Sequence, residues 1–228
     1  MYIQELTIQT RKLSEQKAFY NTVLELPVVA ETTTSFTVQA GTTRLTLQET
    51  RQEVLYHIAF TIPRNKFQQA KDWIAQRVPL LPLKTGADEI FFDGLNARSF
   101  YFEDADNNIL EYMVHNGLEH ETPGEFGSQD VLRVSEIGLP VEDVPAIAAQ
   151  LEQRQGIISY PVADQVSPGF GYLGDISGQL VVVKTGRPWL PTETVEAIVS
   201  PAQVVISGPR AEQFQLAPYP YTITVHTA

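Results

Sequence analysis

The chain contains no cysteine. That excludes a disulfide framework, a thiolate metal site and a cysteine nucleophile. No apolar run reaches the roughly 18–20 residues a bilayer-spanning helix needs, so no membrane partner is expected. Positive charge is scarce: 16 Lys and Arg stand against 27 Asp and Glu, a net charge of −11 over 228 residues. Such a field repels phosphate backbones and argues against nucleic acid as a partner. The opening MYIQELTIQT has neither the basic nor the apolar region of a signal peptide, so a cytoplasmic protein is expected. There is no Walker loop, no dinucleotide-binding glycine fingerprint and no G-x-S-x-G elbow. The composition is that of a globular protein, with 43% hydrophobic and 19% charged residues, in a chain long enough to bury a core.

The chain repeats itself. ELTIQT at Glu5–Thr10, HIAFTI at His57–Ile62 and EIGLPV at Glu136–Val141 each open on a polar side chain and continue with apolar residues at period two. Each precedes a helical pattern. Ser14, Asn65 and Asp143 are the expected N-caps, Pro145 suits an early helical position, and Gly156 suits a stop. Short strands follow each helix: Ser35–Gln39 and Arg44–Glu49; Glu89–Phe92, Ser99–Glu103 and Ile109–His115; Phe170–Leu173 and Gln179–Thr185. The tail from Pro191 has no helical stripe, and AQVVISG and PYTITVHT read as strands of a fourth unit without its helix. The fold class is therefore α+β, with strand–helix–strands units pairing into curved mixed sheets around a cavity. The expected division is 1–118 for paired units one and two, 119–129 for a polar linker, and 130–228 for a third unit plus a strand-rich tail.

These residues resemble the vicinal oxygen chelate superfamily, which includes glyoxalase I, fosfomycin-resistance enzymes, extradiol dioxygenases and bleomycin-resistance proteins. ELTIQTRKLSEQKAFYNTVLEL is similar to the family's first strand and helix, with Glu25 where the usual glycine stands. FYFEDADNNILEY resembles its F-x-D-P-x-G-N-x-x-E turn: Asp104, Asn108 and Glu111 keep their places, Ala105 replaces proline and Asn107 replaces glycine. Asn tolerates positive φ, so the turn is expected to survive.

The resemblance implies a divalent metal, Mn, Fe, Ni, Co or Zn, held on first and last strands of paired units. Carried over, its ligands are Glu5, His57 and Glu111, with Glu5 or Glu111 able to act as catalytic base. Tyr101, Arg98 and Thr46 are the implied substrate contacts, Gln48 replacing Thr46 if the register slips by two. Glu136 stands at the first-strand position of unit three, but Val182 is matched to its last-strand position, so unit three is read as structural or as half of an empty second cavity. Each residue also has an ordinary reading: Glu5 as a surface carboxylate, His57 as a core histidine, Glu111 as an outward residue, Arg98 as a surface charge and Tyr101 as core packing. His115 is read as a strand-end residue, Trp73 as helix-to-sheet packing and Trp189 as a pin for the tail. The implied function is a metal-dependent lyase, isomerase or dioxygenase acting on a small oxygen-chelating molecule, the sparse histidines weighing against the dioxygenase. The alternative is a metal-free small-molecule binder of the bleomycin-resistance type. Units in this family also pair between chains, which makes a homodimer a further expectation.

Overall fold

The computed structural model describes residues 1–160 and 166–227. Its strands are β1 (Ile3–Thr10), β2 (Val28–Glu31), β3 (Ser35–Ala40), β4 (Thr43–Glu49), β5 (His57–Thr61), β6 (Leu80–Leu81), β7 (Ile90–Phe92), β8 (Ala97–Glu103), β9 (Ile109–His115), β10 (Arg133–Val141), β11 (Phe170–Asp175), β12 (Gly178–Lys184), β13 (Ala202–Gly208), β14 (Glu212–Gln215) and β15 (Tyr221–Thr227). Its α-helices are α1 (Leu13–Ala18), α2 (Phe67–Ala75) and α3 (Val144–Gln155). The fold is α+β, with two mixed sheets. One has the order β14-β15-β13-β1-β4-β3-β2, the other β11-β12-β10-β5-β9-β8-β6, with β7 on β8.

Four units are visible in the pairing. In each, the first and last strands run parallel: β1 with β4, β5 with β9, β10 with β12 and β13 with β15. The tail is thus a fourth unit, with no helix between β13 and β14. Units join through antiparallel first strands, but the partners differ from the expected pairing. β1 pairs β13, and β5 pairs β10. Unit one therefore shares a sheet with the tail, and unit two with unit three, so segment 1–118 is not one cavity-forming pair. Near-equal repeat spacing cannot show which neighbours share a sheet. The polar segment 119–129 joins two strands of a single sheet rather than dividing the chain: Asn65 holds Thr122 through both backbone polar groups, and Phe126 packs edge-on against Trp73.

Alternation accounts for the core. On β1, Leu6 and Ile8 are buried; on β9, Leu110 and Tyr112 join the same cluster from the other sheet. α1 packs on β4, α2 on β9, and α3 on β11 and β12. Asp143 caps α3 by accepting from the Ala146 N–H, and Gly156 ends it at φ 66°. The other two expected caps are displaced: α1 is capped at Lys12 and α2 at Lys66, after a 3-10 turn at Arg64–Lys66, both without side-chain bonds. Glu25 holds φ 55° at the place where the resemblance expects a glycine, and Asn107 holds φ 65° in the signature turn.

Two polar contacts lock the sheets together. At Gly41, φ 58°, an added Cβ would lie 2.0 Å from the Leu132 carbonyl oxygen, so only glycine lets the β3–β4 turn approach β10. The signature turn supplies the second. Asp106 accepts from the Thr10 hydroxyl at 2.8 Å and the Arg11 N–H at 3.0 Å. Asn108, fully buried, accepts from the Tyr56 N–H at 2.8 Å and donates to Asp104 at 2.8 Å. Asn108→Ala would leave the buried Tyr56 donor unsatisfied and remove a bond to a carboxylate. A loss of about 3 kcal/mol is expected by denaturant titration, at unchanged m-value.

Candidate metal centre in the second sheet

Strand register builds this site. Ala59 on β5 is paired on one side with Glu111 of β9 and on the other with Glu136 of β10. Directly paired residues project from the same sheet face, so the two carboxylates flank the small Ala59 methyl. His57, two residues before Ala59, shares that face. A bulge between Val134 and Glu136 sets the register of β10 here, and a one-residue slip would turn Glu136 into the core.

One ligand atom from each of His57, Glu111 and Glu136 lies within 4.8 Å of the others. His57 Nε2 is 3.3 Å from Glu111 Oε2 and 3.9 Å from Glu136 Oε2. All three side chains are buried, and among the described residues His57 Nδ1, Glu111 Oε1 and Glu136 Oε1 have no hydrogen-bond partner. Burial disfavours the imidazolium, but bonds to the two carboxylates outweigh it and push the His57 pKa up to about 9. Burial, reinforced by the Glu111 charge against the opposing pull of His57, pushes Glu136 up to about 7. Burial and the nearby charge of Glu111 hold the Tyr101 hydroxyl well above its usual range.

The cluster opens into a cavity of about 180 Å³ lined by Phe92, Tyr101, Phe170, Tyr172 and Trp189 among others. The Trp189 ring lies 4.9 Å from the His57 ring. Gly138 makes room for it: a Cβ there would meet Trp189 Cη2 at 2.5 Å and His57 Cβ at 3.3 Å.

The structure brings His57, Glu111 and Tyr101 together but places the other expected residues elsewhere. Glu5 lies in the first sheet, its side chain 53% exposed, 4.0 Å from Arg44. It holds there the post-bulge position that Glu136 holds in the second sheet. The expected position was sound; the sheet was not. Thr46 is also in the first sheet, hydrogen-bonded to Thr37 at 2.8 Å, and Gln48 shares its strand. Arg98 is paired with Glu89 at 2.6 Å and lies over the Phe67 ring, outside the cavity. His115 is buried at a strand end, and burial pulls its pKa down. Glu136, which the repeat had marked, belongs to the cluster rather than to an empty half-site. The position in β12 equivalent to Glu111 is Val181, two residues past the partner of Glu136, and not Val182, which faces the core. Trp189, read as a tail pin, was missed as a cavity residue; no local sequence signal marks it.

No family model matches the chain. A stretch of 122 residues is 30% identical to the metallothiol transferase FosB of Staphylococcus haemolyticus (strain JCSC1435), covering 50% of this chain and 83% of that protein. A Bacillus subtilis structure described as a candidate dioxygenase superposes with TM-score 0.66 over 99% of this chain and 85% of its own, at 15% identity. A glyoxalase/bleomycin resistance protein/dioxygenase from Alicyclobacillus acidocaldarius is 24% identical, with TM-score 0.42, over 50% of this chain and 91% of its own. The chain belongs to the vicinal oxygen chelate superfamily that its sequence resembles.

Because the indole occupies the space a Cβ would take, Gly138→Ala is expected to displace Trp189 from His57. The near-UV circular dichroism of tryptophan should change while the far-UV spectrum stays, with a stability loss of about 1–3 kcal/mol.

Proposed function

We propose that the protein is a metal-dependent enzyme acting on a small oxygen-chelating substrate, with His57, Glu111 and Glu136 as its metal ligands. One observation carries this reading: an imidazole and two carboxylates are buried together with an unpartnered oxygen left on each acid. Two buried carboxylates repel each other, and one imidazolium compensates only one of them. A divalent cation would compensate both. One nitrogen and two oxygens suit Mn, Fe, Ni, Co or Zn and leave coordination positions open. The name of the FosB relative speaks of a metal in that protein, which supports the same reading here.

A bound cation would supply Lewis-acid polarisation of two substrate oxygens. The chain's own groups divide the remaining work. Tyr101 keeps its proton beside Glu111 and offers a neutral hydroxyl at the cavity wall. Either acid can accept a substrate proton, as a lyase or isomerase requires. The aromatic walls exclude water and hold an apolar body. A single histidine in the cluster weighs against the dioxygenase sub-case. Glu5, on the other sheet, has no part in this chemistry. The metal-free binder remains the competing reading, and metal content separates the two.

Protein purified without chelator is expected to carry close to one equivalent of a first-row divalent metal by elemental analysis. Glu111→Gln and Glu136→Gln should each lower the affinity for added Mn²⁺ at least tenfold by calorimetry, whereas Glu5→Gln should leave it within twofold. Metal-free protein whose melting temperature ignores added divalent ions would replace the enzyme with the binder.

A further inference from the structure

Resting on that reading, we propose that the substrate is a small monocyclic aromatic acid, anchored through its anionic group by Arg187 and through a substrate oxygen by the Trp189 N–H. Arg187 and Trp189 lie in the segment between β12 and β13, and both line the cavity. Apart from His57, which is held between the two acids, Arg187 is the cation among the described residues of that lining. Its guanidinium lies 4.7 Å over the Phe170 ring, and among the described residues it makes no ion pair. Arg77, Arg98 and Arg154, by contrast, are each spent on a glutamate. A guanidinium set on a ring face keeps its in-plane donors for an oxyanion.

The second observation is independent. Trp189 is 3% exposed, and its indole Nε1 has no acceptor among the described residues. A buried indole N–H usually finds a partner, and this one belongs to a residue that lines the cavity, so the proposal gives it an acceptor on the occupant. The segment is fixed rather than loose: the backbone N–H of Trp189 donates to the Val195 carbonyl at 2.9 Å, and the Thr192 hydroxyl to the Trp189 carbonyl at 3.0 Å.

Size and wall chemistry narrow the class. A cavity of about 150 Å³ lined by apolar side chains takes one benzene ring. Here the volume is about 180 Å³ and the walls are Phe92, Tyr101, Phe170 and Tyr172, which leaves space for one ring and its substituents. The net charge of −11 disfavours anions in general, so a preference for one must come from a local cation.

The test compares salicylate with salicylamide, which share the ring and the ortho hydroxyl and differ in that a neutral amide replaces the carboxylate. Binding is measured by calorimetry on the protein as purified, in about 0.15 M salt. Salicylate is expected to bind at least tenfold more tightly than salicylamide. Arg187→Gln should bring the two within twofold by weakening salicylate alone, at unchanged melting temperature, and Arg187→Lys should restore part of the gap. Trp189→Phe, which keeps a ring beside His57, should weaken both probes severalfold. If wild-type protein does not bind salicylate, or Arg187→Gln leaves its affinity unchanged, the proposal is overturned. Mn²⁺ titration in the same variants keeps the two readings apart. Intact metal binding with no effect of Arg187 sinks the anchor alone, and absent metal binding with an Arg187-dependent salicylate preference sinks the metal reading alone.

Discussion

Three ionisable side chains of mixed sign sit on one face of the second sheet, around the methyl of Ala59. Each carboxylate there has given up water, and each retains an oxygen without a partner among the described residues. A buried carboxylate normally finds a full set of donors or neutralises itself. The cluster does neither completely, since His57 can hold one proton between two acids and Glu136 is pushed up to about 7. The second sheet is shaped around this unresolved charge. The β10 bulge, the small residues at Ala59 and Gly138, and the aromatic layer over His57 all make space for it or shield it.

Pairing of units gives the site its third member. A first strand contributes one residue facing the cavity, and antiparallel pairing of β5 with β10 brings two such residues, His57 and Glu136, onto one face. The last strand β9 adds Glu111 through its parallel register with β5. The equivalent place in β12 holds Val181, so four positions of the unit pair yield three candidate ligands and one apolar wall. The first sheet repeats the geometry with other residues. Glu5 keeps the post-bulge place, but its neighbours are Arg44 and Val205, and an exposed ion pair satisfies it. One architecture has thus kept its charge buried in one sheet and surrendered it to solvent in the other.

Much of this was legible in the chain. Period-two runs located every first strand, and the Asp104–Asn108 turn announced itself through Asn107, one of the few side chains at ease at φ 65°. Glu111 between Leu110 and Tyr112 signalled two faces of unlike polarity, and the structure buries both. Pairing was not legible, because four similar repeats at similar spacing admit several sheet assignments, and choosing one is a matter of long-range packing. Adopting units one and two as partners put Glu5 and Thr46 into the wrong sheet while leaving Glu136 outside the site. Arg98 went astray for a simpler reason: alternation along β8 places it opposite to Tyr101, with Glu89 and Phe67 as its surroundings.

Trp189 shows where local sequence reading ends. It lies outside any regular strand, follows no periodic pattern, and reaches His57 because Gly138, about fifty residues earlier, has no side chain. Neither residue carries information alone; the contact exists only as a pair separated by a whole unit. The segment that carries Trp189 also carries Arg187, beyond the last strand of the unit pair that builds the cluster. The repeated framework can therefore hold the three charged groups fixed while a connection outside the repeat decides what meets them. Chemistry tied to strand register and recognition tied to a connecting segment can vary separately, which suits a fold whose relatives share sheets more than substrates.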